Sequence, residues 1–402
     1  MAKVDNHLNI LFLILDVALT IENSTVFQSQ VVDQMIALRK CGYKVAVLCA
    51  FKNLAKFQLV AGSKLEKHQV LIHLVPDLGL IKNILSFAIA LKRLSRSHQI
   101  KRIYIRGFWA ALPIHLVSPM NPSNYIYDVR GDIIDESSAR ARSRYRHFLI
   151  RILETFALRR ALYVTCVTRQ LSAIVMNRAR LDALPEVIPS CINLSDFSFN
   201  EESRAAQRAS LGYSNKDIVL VYSGGTANYQ MIPEMLELWR GLLPLNSHTK
   251  FLLMINSDRQ SLERSLGSLD DFGSRIKILN LARSEVFVTL SASDIGFLLR
   301  EDRVLNACAS PVKFAEYLVA GLAVVSSPCV GDISDLIVNR QIGVLVDPKN
   351  VQCGIDRVQI YLQKFMLNRL SYRLSSLNLA EERYNWRSYQ KLYDVLYGQP
   401  IK

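Results

Sequence analysis

Residues 309–328 read ASPVKFAEYLVAGLAVVSSP and set a lysine, Lys313, at the start of a helix, where a cation is electrostatically out of place. Ser310 is a good N-cap, Pro311 suits the first helical position, and Gly321 can take the left-handed conformation that closes the helix before the β-rich run Ala323-Val324-Val325. Helical spacing puts Phe314, Ala315 and Leu318 on a packing face and Lys313, Glu316, Tyr317 and Ala320 on the other, free for chemistry. The macrodipole disfavours Lys313 by roughly a few tenths of a kcal/mol, and an anion bound at the helix start would reverse that sign. The competing account pairs Lys313 with Glu316 at i,i+3 spacing, in water.

Other candidates stand where strands end. VLVYSGGTANYQ closes a strand in Ser223-Gly224-Gly225, glycines that either bring backbone N–H groups to an anion or simply turn the chain. The stretch is neither a GxGxxG fingerprint nor a Walker A loop, which argues against a nicotinamide enzyme or an ATPase. Arg300 follows directly on the strand IGFLLR, at the end where ligand contacts cluster, and Arg303 is either a second site cation or a solvated loop charge. YDVRGDIIDE sets Asp128, Arg130, Gly131 and Glu136 after a buried strand, as cleft residues or as a salt-bridged turn. The loop DVALTIENSTVFQSQ after the first strand adds Asn23, Thr25 and Gln28. None of the histidines sits in a motif that marks a base.

Positioning these residues takes two domains. The 402 residues exceed one compact domain of usual size, and half are hydrophobic, ample for two cores. Strands are expected at 9–15, 44–49, 70–74, 102–105, 125–128, 162–167 and 186–188, with helical patterns between them, including 29–40. A polar stretch over 193–210 marks the boundary, and the alternation restarts at 217–222, 250–255, 275–279, 294–298, 322–325 and 343–346. Both halves read as α/β domains with doubly wound parallel sheets, which bind ligands at the carboxyl ends of their strands.

The formal net charge of +14 concentrates in two segments, 81–102 and 139–161, each a helix with an apolar stripe; in the second the stripe is Phe148, Leu149, Ile152, Leu153 and Phe156. Such helices either lie on anionic lipid or turn the stripe to the core and the arginines to water. Nucleic acid is not expected, because no recognition motif accompanies the charge. The seven cysteines form no CxxC pairs, and no Asp-x-Asp stands in the second half, so no metal is expected. The apolar run of residues 10–15 lacks a cleavage site, and no stretch reaches the roughly 20 residues that span a bilayer. Together with the family resemblance given below, these absences imply a cytoplasmic protein, with a peripheral place on the inner face of the cytoplasmic membrane as the option the basic helices add.

Taken together, SPVKFAEYLVAGLAVVSSP, the preceding SASDIGFLLRED, the following GDISDLI and IGVLVDP, and the terminal YNW resemble the C-terminal donor domain of GT4-type glycosyltransferases of GT-B fold. SQVVDQMIALRKCGYKVAVL, YIRG, YDVRGDIIDE and VIPSCINLSDF are similar, in order, to elements of the bacterial envelope-polysaccharide branch of that family. The resemblance spans nearly the whole chain. It implies two Rossmann-like domains facing a cleft, an acceptor domain over 1–195 and a nucleotide-sugar domain over 196–383, with the helix in 384–402 crossing back to the first.

The resemblance also implies roles. Glu316 would accept hydrogen bonds from ribose hydroxyls, and Ser310, Val312, Gly224 and Gly225 would lie near the diphosphate. Two departures matter. The family often carries a second glutamate, on the donor sugar, where this chain has Cys308; and it often has an Arg and a Lys after the first donor-domain strand, where this chain offers Gly225 and Gln230. The charge on a departing diphosphate then falls to Arg300, Lys313 and Arg303. On the acceptor side, with Arg130, Gln28 and Thr25, either Asp128 or Glu136 would assist deprotonation, or the leaving phosphate would take the proton.

The expected function is a retaining, nucleotide-sugar-dependent hexosyltransferase acting on a hydroxyl of a lipid-linked or other cell-envelope glycan. The alternatives are a catalytically reduced nucleotide-binding subunit, suggested by Cys308, and a nucleotide-sugar 2-epimerase, for which no catalytic carboxylate and histidine set can be placed.

Overall fold

In the computed structural model, which describes residues 7–15, 27–118, 124–132, 144–194, 197, 199–255 and 270–400, the alternation resolves into two parallel sheets. The first runs β3-β2-β1-β4-β5-β6-β7, from β1 (His7–Ile14), β2 (Val45–Phe51), β3 (Leu71–Pro76), β4 (Gln99–Arg106), β5 (Tyr125–Val129), β6 (Tyr163–Cys166) and β7 (Glu186–Val187). The second runs β10-β9-β8-β11-β12-β13, from β8 (Ile218–Gly224), β9 (Thr249–Ile255), β10 (Ile276–Leu279), β11 (Ile295–Leu298), β12 (Ala323–Ser326) and β13 (Gly343–Leu345). Each expected strand is present. Helices cover both faces, so central strands such as LNILFLI are apolar without interruption. In each sheet the order reverses beside the first strand, between β1 and β4 and between β8 and β11, which opens a crevice at the carboxyl ends.

The chain divides into two units, Met1–Asn193 with Asn385–Lys402, and Leu194–Tyr384. The terminal segment belongs to the first because Trp386, Tyr393, Leu396 and Tyr397 are fully part of its core, and Tyr43 Oη donates to Asp394 at 2.5 Å.

Two elements differ from expectation, and the alternative left open for the basic helices is decided. The helix expected at 29–40 begins with a π turn, Gln28–Val32, before the α-helix Asp33–Lys40, and the wider turn buries Ser29, Gln30, Val31 and Val32 together. The polar stretch before β8 contains a helix, Glu201–Ser210, capped by Asn200, that buries Arg204 and Arg208 against the second sheet. The basic helices keep apolar stripes in the open. Leu80–Ser97 buries Phe87, Leu91 and Leu94 and exposes Ile81, Leu85 and Ile89; Arg144–Arg160 exposes Phe148, Leu149, Ile152 and Phe156. The second stripe therefore does not face the core, because Ile150, Ala157 and Leu158 already do. No helix of the described residues is long and apolar enough to cross a membrane.

Candidate functional site

Gly224 ends β8 at φ +143°, and a Cβ there would come within 2.8 Å of Lys313 Nζ, so the close approach requires glycine. Lys313, half-buried, donates to Gln230 Oε1 at 3.0 Å, with its ammonium 4.1 Å from the centroid of the Tyr222 ring. Tyr222 Oη donates to the Gly225 carbonyl at 2.6 Å, which fixes the ring that the ammonium faces. Arg300 lies just beyond β11, buried, its guanidinium 5.0 Å from the Tyr229 ring and its backbone N–H on Ser327 Oγ at 2.8 Å.

The electrostatics of this corner are one-sided. Burial lowers the pKa of Lys313 well below its ordinary value, the Arg300 charge adds to the shift and Glu316 opposes it. Burial lowers Arg300 as well, against the pull of Tyr222 and Tyr229. Arg300 Nη1 is buried without a hydrogen-bond partner, and neither cation pairs with a carboxylate of the described residues. Two cations that burial disfavours, and that form no ion pair among the described residues, are stabilised by an anion, and the space beside Gly225 is open, a Cβ there meeting nothing within 4 Å.

The Lys313 helix itself runs Val312–Val319, with Pro311 rather than Ser310 as N-cap and no capping side chain. Gly321 follows at φ +70°. The i,i+3 pair of Lys313 with Glu316 does not form, since Lys313 turns to Gln230 and Tyr222 instead. Nor is the rest of that face free. Tyr317 and Ala320 are buried, and Tyr317 Oη donates to the Phe297 carbonyl and accepts from the Ser223 N–H, both at 3.1 Å, tying β11 to β8. Its ring rests on Gly296, where a Cβ would come within 2.3 Å, so a glycine on the neighbouring strand draws in the second face of the helix. Lys313 and Glu316 alone of that face stay partly exposed.

Arg303 is an exposed loop cation paired with Glu301 at 2.9 Å, the solvated alternative. Cys308 is fully buried at the end of the helix Val304–Ala307. Tyr222, Tyr229 and Gln230 are the site residues that motif reading passed over. Strand alternation is the one signal for Tyr222, which shares a face of β8 with Gly224.

In the first unit Thr25, Asn23 and Glu136 lie outside the described residues. Gln28 is half-buried and donates to the Val60 carbonyl at 3.2 Å. Asp128, near the end of β5, is buried and accepts from Arg130 Nε at 2.5 Å, Thr165 Oγ1 at 2.8 Å and Tyr104 Oη. Burial alone would raise its pKa, but Arg130 and Arg106 hold it below the usual carboxylate value. A carboxylate that accepts three hydrogen bonds and is held low by two arginines is a weak base, and in this arrangement Asp128 positions Arg130. Arg130 also donates to Gln30 Oε1 at 3.0 Å, lies 5.7 Å from the Trp386 ring, and keeps Nη2 buried and unpartnered. Among the described residues no cluster of His, Cys, Asp or Glu is placed to hold a metal ion.

No protein-family model and no curated protein matches the chain. Solved structures do. HepE from Anabaena in complex with UDP aligns at TM-score 0.71 and 14% identity, over 96% of this chain and 99% of that one. Sucrose-phosphate synthase from Thermosynechococcus elongatus aligns at 0.66 and 15%, over 97% and 98%. The catalytic domain of starch synthase IV from Arabidopsis thaliana, bound to ADP and acarbose, aligns at 0.66 and 11%, over 98% and 99%. The fold is GT-B. In this GT-B chain Lys313, Arg300 and Gly224 belong to the second unit, and Asp128 and Arg130 to the first.

Proposed function

We propose that the chain is a retaining glycosyltransferase that moves a hexose from a nucleotide diphosphate sugar to a hydroxyl of a lipid-linked or other cell-envelope glycan, without a metal. The observation that carries this reading is Lys313 set against Gly224 at the switch point of the second sheet, within the field of the buried Arg300, with neither cation in an ion pair among the described residues. The UDP and ADP complexes of proteins with this fold support a nucleoside diphosphate as the anion. As the bond from the anomeric carbon to the diphosphate breaks, charge grows on the leaving oxygen, and the two cations stabilise it more than they stabilise the bound donor. The acceptor proton passes to that oxygen, since Asp128 is occupied, and Arg130 orients the acceptor. Ser310, Val312 and Gly225 line the diphosphate, and Glu316 accepts from the ribose hydroxyls.

Calorimetry with uridine and guanosine diphosphates and their sugars tests the assignment. One nucleotide binds, and Glu316→Ala weakens it by roughly tenfold or more, the loss of charge-assisted hydrogen bonds. Absence of binding by every nucleotide sinks the reading. Binding without transfer to any acceptor favours the reduced-activity subunit, to which the buried thiol of Cys308 in place of a sugar-binding carboxylate gives weight.

The exposed stripes of Leu80–Ser97 and Arg144–Arg160, flanked by Lys82, Lys92, Arg93, Arg151 and Arg159, support a peripheral membrane contact for the acceptor side. Sedimentation with vesicles containing phosphatidylglycerol is expected to capture the protein at low salt, to weaken as salt is raised, and to fail for the pair Ile89→Glu and Ile152→Glu. Capture that ignores both salt and these substitutions removes the contact.

A further inference from the structure

A second group of arginines lies on the opposite edge of the same sheet. Asp294 immediately precedes β11 and Asp217 precedes β8, so this is the amino-terminal edge, away from the strand ends that carry Gly224 and Arg300. Glu201–Ser210 brings Arg204 and Arg208 there, the helix Arg369–Arg383 brings Arg369 and Arg373, and these four guanidiniums line a cavity of about 180 Å³ whose rim includes the exposed Ala205 and Asn215. Arg204, Arg208 and Arg373 are each more than nine-tenths buried, at 5%, 3% and 7% exposure.

Two carboxylates bond these cations directly, and backbone carbonyls take further N–H groups, those of Ser291 and Ser293 from Arg204 and those of Ala292, Ser214 and Asp217 from Arg208. Asp294 accepts from Arg204 at 2.7 Å and Arg208 at 3.2 Å, and Glu201 accepts from Arg373. Asp217, on the flank, is taken up by the Ser214 N–H at 2.6 Å and hydroxyl at 2.9 Å, with His248 at 3.7 Å. Arg369 has no carboxylate and donates to the Asn215 carbonyl at 3.2 Å and to Met366 Sδ at 2.7 Å. Burial, with repulsion from Arg373 and Arg208 against the pull of Asp294 and Glu201, lowers Arg204 to about 10. With Asp217 also in the field of Arg208, three carboxylates answer the four guanidiniums, and the cavity keeps a surplus of positive charge.

We propose that this cavity binds a tetrahedral phosphate ion, as orthophosphate or as the phosphate group of a small monoester, drawn by that surplus charge. Guanidinium N–H groups match phosphate oxygens, and the donor available here is the buried, unpartnered Arg373 Nε, with Arg369 beside it, while Arg204 and Arg208, bonded to carbonyls and Asp294, supply charge. The site is independent of the donor site.

Thermal unfolding of the full chain in inorganic phosphate tests it. At tenfold above its dissociation constant, phosphate raises the melting temperature by about 3–6 °C for a unit of this size. The shift is lost in Arg369→Gln, a half-buried side chain whose removal leaves Asp294 paired, and in Ala205→Glu, which puts a carboxylate on the exposed rim. It persists in Lys313→Ala. A larger shift with phenyl phosphate than with orthophosphate assigns a monoester, and equal shifts assign the free ion. A shift lost in Lys313→Ala but kept in the two cavity variants places phosphate at the donor site and overturns the proposal, as does no shift in the wild type.

Discussion

With Lys313 in the proposed role, its replacement by alanine is expected to lower sugar transfer by roughly a hundredfold or more while the protein stays folded, since loss of one cation facing a leaving diphosphate costs about 2–4 kcal/mol of transition-state stabilisation. The fold tolerates the change because Lys313 is half-buried and bonds only Gln230 and the Tyr222 face. The proton on Lys313 also sets a pH dependence. Burial and Arg300 lower its pKa, so the charged form is lost at a lower pH than an ordinary lysine would lose it. Transfer is therefore expected to fall as pH rises through that lowered value, and nucleotide binding, which brings in negative charge, to draw a proton onto the site. Calorimetry in buffers of different ionisation enthalpy reads that uptake, and Lys313→Ala abolishes it. Wild-type turnover in the variant, or a binding heat independent of buffer in the wild type, returns Lys313 to a surface charge.

Asp294→Asn destabilises the second unit by about 3–5 kcal/mol, the cost of leaving buried charge without its partner. The carboxylate is fully buried and also accepts from the Val219 N–H at 2.9 Å, so it joins the helix Glu201–Ser210 to the starts of β8 and β11. Burial would raise its pKa, but Arg204 and Arg208 outweigh that and hold it low. With the folded value depressed, its contribution is complete above the unfolded carboxylate value and is lost as pH falls through the folded one. Urea unfolding at neutral pH is expected to show a lower midpoint with unchanged slope, and acid unfolding to lose part of its pH dependence. An unaltered midpoint would mean that Arg204 and Arg208 are satisfied by the carbonyls of Ser291, Ser293 and Ala292 alone.

The positions of the strands were open to inspection along the chain because a strand buried on both faces is a local apolar run bounded by turn residues, as KVAVLCA and IGFLL are. The same holds for Gly321, where a helix must stop before a strand and a left-handed residue is the local means. Burial of charge was not open in this way. Glu201–Ser210 reads as polar, yet two of its arginines are core residues because Asp294, some ninety positions away, receives them. Tyr317 reads as free, yet a glycine in β11 admits its ring.

What the sequence by itself determined is the alternation of elements, the glycines at which the backbone turns, and the presence of cations at strand ends. Only the tertiary structure decided which cations lack a partner. Arg300 and Arg303 stand three residues apart, and nothing local separates them; packing buries the first beside Tyr229 and leaves the second in water on Glu301. Lys313 is told from an ordinary helix lysine by Gln230, 83 residues earlier. Hydrophobic periodicity is a property of neighbours in the chain, whereas the countercharge of a buried group is a property of neighbours in space.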